Sequence, residues 1–177
     1  MRVISGEYRS RKLKTLEGLD TRPTLDKVKG AIFNHLGNLC DKSFLDVFCG
    51  CGNIGIEAVS RNSEQVVFND NNPEAIEVLR ENLNTLKVES DRYRIFCLSY
   101  QELFKRIDGQ FDFIYLDPPF ACDLFLPCLQ LIKEKEILRS EGEIIIESEV
   151  AEVLNNPWFV IRKEAIYGRI KISYCSL

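Results

Sequence analysis

Apolar runs alternate with amphipathic segments along most of the chain, and this pattern predicts alternating strands and helices. The predicted strands are short and apolar, and they cover residues 44–48, 65–70, 94–98, 111–117, 143–147, 159–166 and 169–174. The predicted helices have apolar residues at helical spacing, and they cover residues 24–36, the segment up to 61, 73–86, 101–107 and 123–138. This alternation predicts an α/β fold with a mostly parallel, seven-stranded sheet and helices on both faces.

The N-terminal residues 2–15 have a different pattern, which predicts a β-hairpin extension that turns near Gly6. At 177 residues the chain is long enough to bury a sizeable core, and no linker-like segment divides it. We therefore predict one domain over 1–177, with a basic hairpin and loop over 1–23 and a core over 24–177.

The composition is that of an ordinary soluble protein, with 45% hydrophobic and 28% charged residues. No apolar run is long enough to span a membrane, and the N-terminus lacks a signal-peptide core, so we expect no membrane association and a cytoplasmic location. The seven cysteines form no C-x-x-C pair, which favours reduced thiols. Cys49 and Cys51 lack further ligands at matching spacing, so no metal site is expected.

The charge distribution is uneven. The net charge is −4, yet residues 1–30 contain eight basic side chains against four acidic ones. These basic residues are Arg2, Arg9, Arg11, Lys12, Lys14, Arg22, Lys27 and Lys29. A basic N-terminal face on an acidic body predicts contacts to nucleic-acid phosphates, although a solvated charged face without a partner is the alternative.

The fourth predicted strand, 111–117, ends in Asp117-Pro118-Pro119-Phe120. Proline donates no N–H and favours an extended residue before it, so backbone acceptors stay free here. The Asp117 carboxylate and the Pro118 carbonyl can accept the two hydrogens of an exocyclic amine, while Phe120 stacks on the ring that carries it. The alternative is that the segment only ends a strand and begins a turn.

A glycine-rich turn follows the first strand. Residues 50–55 match G-x-G-x-x-G, and Asp70 follows Gly50 by 20 residues, at the end of the second strand. This spacing fits NAD or another adenosine-containing cofactor. Asp46 before the turn, the lack of room for a substrate domain and the amine-accepting segment together favour S-adenosylmethionine. A structural role, in which Asp46 bonds to loop backbone, is the alternative.

These motifs together resemble a class I methyltransferase and, more narrowly, the RsmD family of bacterial enzymes that methylate N2 of one guanine in 16S ribosomal RNA. The resemblance extends over nearly the whole chain. It rests on Asp46–Gly52, Glu57–Arg61 and Asp117–Phe120, together with Met1–Leu13, Arg22-Pro23-Thr24 and Phe33-Asn34.

The resemblance implies a Rossmann-like fold, S-adenosylmethionine as cofactor with S-adenosylhomocysteine as product, and no metal. Its implied partner is 16S rRNA or the assembling small ribosomal subunit, and we expect a monomer. The residues implied to bind the cofactor are Asp46, Phe48, Gly50, Gly52, Asn69, Asp70, Asn71 and Ser99. The residues implied to bind RNA are Arg2, Arg9, Arg11, Lys12, Lys14, Arg22 and Thr24, and those implied in catalysis are Asp117, Pro118, Pro119 and Phe120.

The chain departs from the family pattern at two places. Leu98-Ser99-Tyr100 replaces the usual acid after the third strand, and the turn reads Cys-Gly-Cys-Gly where Ala-Gly-Ser-Gly is commoner. The sequence leaves three other functions open. They are methylation of N6 of adenine in DNA, hydride transfer with NAD, and RNA binding without catalysis.

Overall fold

The computed structural model describes residues 1–16, 23–119 and 123–177, with side chains of the first helix described from Asp26 onward. The helices are α1 (Pro23–Leu36), α2 (Asn53–Ser60), α3 (Pro73–Leu86), α4 (Tyr100–Arg106) and α5 (Phe125–Lys135). The strands are β1 (Ser43–Asp46), β2 (Gln65–Asn69), β3 (Tyr93–Phe96), β4 (Phe111–Leu116), β5 (Leu138–Glu149), β6 (Val160–Tyr167) and β7 (Ile170–Ser176). None of the helices in these ranges combines the length and apolar character needed to cross a bilayer.

The sheet confirms the predicted α/β class. Its strand order is β3-β2-β1-β4-β5-β7-β6, in which the first five strands are parallel and the β5–β7 and β7–β6 pairs are antiparallel. Strand order reverses beside β1, whose neighbours are β2 and β4. In such sheets, ligands bind beyond the carboxyl ends of the strands near this point of reversal.

Two apolar layers cover the two faces of the sheet. Helices α1, α2 and α3 pack on one face through buried residues such as Phe33, Ile56 and Leu79. Helices α4 and α5 cover the other face through residues such as Phe104 and Ile132. The central strands therefore have buried side chains on both faces, which explains their nearly continuous apolar sequences.

The predicted boundary between the last helix and the fifth strand was wrong. The helix was expected over 123–138, but α5 ends at Lys135 and Glu136 adopts a left-handed conformation with φ of 51°. Ile137 and Leu138 then turn into the core, so β5 begins five residues before the predicted start at 143. Burial of these two apolar side chains ends the helix there.

The N-terminal segment, residues 1–16, pairs with itself as predicted but is part of the body of the fold. The backbone N–H of Val3 donates to the carbonyl of Arg11 at 2.9 Å, and that of Leu13 donates to the carbonyl of Met1 at 3.0 Å. The side chains of Val3 and Leu13 are both buried in the core. At Gly6, where φ is 83°, a Cβ atom would lie 1.8 Å from the carbonyl oxygen of Ser60. The turn thus depends on glycine for close approach to α2.

Candidate active site

Two adjacent cavities lie along the carboxyl ends of the central strands. The wider cavity has a volume of about 550 Å³ and is lined by residues following β1, β2, β3 and β4. The smaller cavity, of about 220 Å³, lies between the glycine-rich turn and the ends of β1, β4 and β5. Phe48 and Asp117 line both cavities, so the two form one continuous site.

Most of the predicted cofactor-binding and catalytic residues meet in this site. The wider cavity has Phe48, Asn69, Asp70, Asn71, Ser99, Asp117, Pro118 and Pro119 in its lining. The smaller cavity adds Asp46 and Gly50. Gly52 lines neither cavity, because it packs against α3, where a Cβ atom would lie 2.4 Å from Leu79 Cδ1. The predictions for Arg22 and Phe120, and for the side chain of Thr24, lie outside the described residues.

Asp70 shapes the glycine-rich turn. Its Oδ2 accepts a hydrogen bond from the backbone N–H of Gly50 at 2.8 Å, and its Oδ1 accepts one from Asn72 at 2.9 Å. Gly50 adopts φ of 51°, and a Cβ atom there would meet no other atom within 4 Å. Each carboxylate oxygen keeps one further lone pair, since an oxygen of this kind accepts about two hydrogen bonds. Asp70 can thus hold the turn and still accept from a hydroxyl in the cavity.

Asp46 has one satisfied and one unsatisfied oxygen. The side chain is 1% exposed, and its Oδ2 accepts a hydrogen bond from the backbone N–H of Gly55 at 3.0 Å. No described residue bonds to its buried Oδ1. Burial, the largest influence, raises the pKa of Asp46 to about 8. A purely structural role, in which Asp46 only bonds to loop backbone, therefore explains Oδ2 but not Oδ1. The unpartnered Oδ1 suits a cationic group in the adjacent cavity.

A buried acid and a tyrosine complete the smaller cavity, and the sequence reasoning had identified neither. The hydroxyl of Tyr115 donates to Glu147 Oε2 at 2.5 Å. Burial raises the pKa of Glu147, and burial together with the charges of Glu147 and Asp46 raises the pKa of Asp117 well above its usual range. The sequence did contain one signal, since Glu147 directly follows the apolar residues 144–146. A glutamate at the end of a buried strand is rarely buried without a partner, so its position indicates a specific role.

Lys29 lines the same cavity from α1. Its ammonium group donates to the carbonyl of Arg2 at 2.7 Å and to Asn53 Oδ1 at 2.8 Å, and it lies 3.4 Å from Glu57 Oε2. The side chain is only 1% exposed, and this burial lowers the pKa of Lys29. The assignment of Lys29 to a basic outer face was therefore wrong, because its partners draw it into the interior.

Asn69 and Ser99 lie at the wider cavity with their polar groups already engaged. The amide of Asn69 donates to the carbonyls of Val47 and Leu98, each at 3.1 Å, and so ties neighbouring strand ends together. Ser99 caps α4, accepting from the backbone N–H of Glu102 at 3.3 Å. The rings of Phe48 and Tyr100 form an aromatic wall, with centroids 6.2 Å apart.

The predicted RNA-binding side chains of the N-terminal segment are exposed. Arg2 pairs with Asp26 at 2.8 Å and Lys14 pairs with Glu81 at 2.7 Å. Among the described residues, no carboxylate lies within ion-pair distance of Arg9, Arg11 or Lys12. Met1 lines the smaller cavity, so this segment extends from the site to the outer surface.

The cysteines show no metal or disulfide arrangement in the part of the chain that the structure describes. Six thiols there are free, and no cluster of three or more metal-ligating side chains occurs in those ranges. Cys122 lies outside them. Burial raises the pKa of both Cys49 and Cys51, so these thiols stay protonated beside the turn.

Comparison with known proteins identifies close relatives over nearly the full length. The family model described as "Conserved hypothetical protein 95" matches residues 1–176. A Bacillus subtilis protein named "Putative rRNA methyltransferase YlbH" is 39% identical, covering 95% of this chain and 94% of its own. The Haemophilus influenzae protein named "Ribosomal RNA small subunit methyltransferase D" is 34% identical, covering 93% of this chain and 88% of its own.

A solved structure supports the same relationship. The structure titled "Putative methyltransferase yhhF from Escherichia coli" aligns with a TM-score of 0.88 and 26% identity, covering 99% of this chain and 97% of that one. The fold of the described residues therefore matches that solved structure over nearly the whole of both chains.

Proposed function

This chain belongs to the RsmD family, and we propose that it methylates ribosomal RNA of the small subunit. More specifically, it transfers a methyl group from S-adenosylmethionine to the exocyclic N2 amine of a guanine in 16S rRNA. The observation that carries this proposal is the position of Asp117 and the two prolines after it. Asp117 lines both cavities, so an amine that is bound to it lies where the smaller and the wider cavity meet.

The chemistry of the site fits S-adenosylmethionine. The unsatisfied oxygen of Asp46 suits the cationic amino-acid end, the open space at Gly50 leaves room for close approach, and Asp70 can accept from ribose hydroxyls. When bound, the cofactor supplies an electrophilic methyl group on a positively charged sulfur. The raised pKa values of Asp46 and Asp117 mark desolvated acids that a nearby positive charge would ionise.

The residues at the end of β4 orient the amine. The lone pair of an exocyclic amine is delocalised into its ring, which makes the nitrogen a poor nucleophile. Hydrogen bonds from the amine to the Asp117 carboxylate and the Pro118 carbonyl favour the pyramidal nitrogen that the transition state needs. Pro119 keeps Pro118 extended. Phe120 remains our predicted stacking partner for the flipped base.

The exposed basic side chains of residues 1–16 support an RNA partner, either free 16S rRNA or the assembling subunit. They extend outward from a segment whose first residue lines the cavity. Contacts to phosphates there would position the RNA without reading its sequence. We expect the protein to act as a monomer in the cytoplasm.

Methyl incorporation from labelled S-adenosylmethionine into unmodified small ribosomal subunits, compared with plasmid DNA, tests the substrate. Label in the rRNA alone is the expected result, and label in the DNA would instead indicate an adenine methyltransferase. A thermal-shift measurement tests the cofactor, because a ligand that binds only the folded state raises its melting temperature. We expect a shift with S-adenosylhomocysteine and none with NADH, and the reverse would contradict the proposal.

A further inference from the structure

Three carboxyl groups occupy one face of three adjacent parallel strands at the smaller cavity. Asp46 on β1 pairs with Tyr115 on β4, and Tyr115 pairs with Ile145 on β5. Side chains two residues apart in a strand share a face, so Glu147 follows on the face of Ile145 and Tyr115. Asp117, the first residue after β4, lines the same cavity. All four polar side chains line the cavity. The register thus brings a second acid next to the one that holds the amine.

Glu147 is fixed in place and still has a free acceptor. Tyr115 donates its only O–H hydrogen to Oε2, and both side chains are buried. No donor among the described residues bonds to Oε1 of Glu147, and the residue lines the cavity rather than the packed core. A buried carboxyl group held on one side and open on the other is well placed to exchange a proton.

We infer that Glu147, positioned by Tyr115, receives the proton that the substrate amine loses during methyl transfer. This inference rests on the proposed function. The nitrogen lone pair forms the new nitrogen–carbon bond, while the carbon–sulfur bond breaks and leaves its electron pair on sulfur. One N–H bond of the now cationic nitrogen then breaks, and its electron pair returns to nitrogen. The proton passes through Asp117 to Glu147, which becomes a neutral acid and later releases the proton to water.

The other polar groups at the cavity are less suited to this role. Asp46 is occupied on one oxygen by Gly55 and faces the predicted cationic end of the cofactor. Asp117 must be ionised to accept from the amine, so a proton that remained on it would block the next turnover. Lys29 is a donor in all its contacts, and the β7 residue paired with Glu147 is the apolar Ile172. The remaining titratable groups on residues that line the cavity are the protonated thiols of Cys49 and Cys51 and the N-terminal amino group of Met1.

Replacement of Glu147 by glutamine tests the inference. Glu147→Gln keeps an oxygen that can accept from Tyr115 but cannot take up a proton. We expect the steady-state turnover of methyl transfer to fall on the order of 100-fold, with the first turnover and the affinity for S-adenosylhomocysteine close to those of the unsubstituted protein. Glu149→Gln is the matched control, because Glu149 lies on the same strand and face but is exposed, and its rate should not change.

Tyr115→Phe provides a second test that separates proton transfer from packing. The Tyr115 hydrogen bond lowers the pKa of Glu147, so its loss should move the acidic limb of the rate–pH profile to higher pH. The carboxyl carbon of Glu147, followed by NMR in the ligand-free protein, should titrate at correspondingly higher pH. This second measurement needs no turnover and remains available even if Glu147→Gln fails to fold.

These experiments distinguish failure of the Glu147 role from failure of the proposed methyltransferase function. An unsubstituted protein that transfers no methyl group to rRNA would contradict the function itself. Normal steady-state turnover by Glu147→Gln would overturn only the role of Glu147. An unmoved acidic limb and an unmoved carboxyl titration in Tyr115→Phe would likewise overturn it.

Discussion

Two regions of the molecule differ in the sign of their charged groups and in the exposure of those groups to solvent. The acidic wall, formed by Asp46, Tyr115, Asp117 and Glu147, holds its acids beside one another in the lining of a cavity, with Asp46 and Glu147 buried. The basic segment, residues 1–16, has its backbone anchored to α2 and extends its charged side chains into solvent. Desolvated charges interact strongly and depend on single partners, whereas exposed charges are screened and act together.

The comparison predicts different responses to substitution. In the acidic wall, one change should alter the rate or the pH dependence by a large factor. In the basic segment, single side chains should matter little, while loss of the backbone anchors should matter greatly. Glu57 connects the two regions, because it bonds both to the segment and to Lys29 in the cavity lining.

The largest effect is expected from Asp117→Ala. Removal of the acceptor that orients the amine should lower turnover on the order of 1,000-fold, while calorimetry should find the affinity for S-adenosylhomocysteine little changed. Asp108→Ala, which is exposed and precedes the start of the same strand, is the control. Unchanged turnover in Asp117→Ala would remove Asp117 from the mechanism.

Glu57→Ala should produce the largest loss of stability. Glu57 is fully buried and accepts from the backbone N–H groups of Ile4 and Ser5 at 2.8 and 3.0 Å. Its loss also leaves the buried ammonium group of Lys29 without a carboxylate, so the free energy of unfolding should fall by about 3–5 kcal/mol. Urea unfolding measures this, and the exposed Glu64→Ala should stay within about 0.5 kcal/mol of the unsubstituted protein. Equal values for the two variants would contradict the anchoring role.

Asp46 should make the stability of the ligand-free protein depend on pH. Its pKa is raised from 3.8 to about 8 on folding, so the folded state binds the proton more tightly. The resulting stability is fully present below pH 3.8 and is lost as the pH rises to about 8. Asp46→Asn should flatten this part of the curve of unfolding free energy against pH, whereas the exposed Asp91→Asn should not. An unaltered curve in Asp46→Asn would show that burial of Asp46 is not responsible.

The smallest effect per residue is expected in the basic segment. Neutralising Arg9, Arg11 and Lys12 with glutamine should weaken rRNA binding, because fewer counterions are then released from the RNA. The slope of log affinity against log salt should become shallower by about 1 for each phosphate that the segment no longer neutralises. The same change at Lys105, Lys133 and Lys135, on helices of the opposite face of the sheet, is the control. Equal slopes for the two triple variants would argue against RNA binding by this segment.

Much of the fold was predictable because its signals are local. Apolar periodicity identified the seven strands and five helices, and the glycine spacing identified the turn that lines the smaller cavity. Asp46, Asp70 and Asp117 were predicted as site residues because each lies at a strand end beside a motif, and all three line the cavities. The division into residues 1–23 and 24–177 stays a prediction, although the burial of Val3 and Leu13 joins the N-terminal segment to the core.

The features that were missed depend on contacts between distant parts of the chain. Glu147 meets Tyr115 across 32 residues, and their pairing depends on strand order rather than on any local pattern. From the sequence alone, Lys29 is typical of an exposed residue on a helix. Its burial depends on contacts with Glu57 and Asn53, which only the folded chain brings beside it. Asn69 was predicted to bind the cofactor and lines the wider cavity, but its hydrogen bonds to two strand ends were not foreseeable from its position in the sequence.

The most direct test is to identify the nucleoside that the protein modifies. Unmodified small subunits would be incubated with the protein and S-adenosylmethionine, and the rRNA would be digested and its nucleosides separated by mass spectrometry. We predict a single new product, N2-methylguanosine, which Asp117→Ala forms on the order of 1,000-fold more slowly. Methylation of adenine or of a guanine ring nitrogen, or the absence of any new product, would contradict the account.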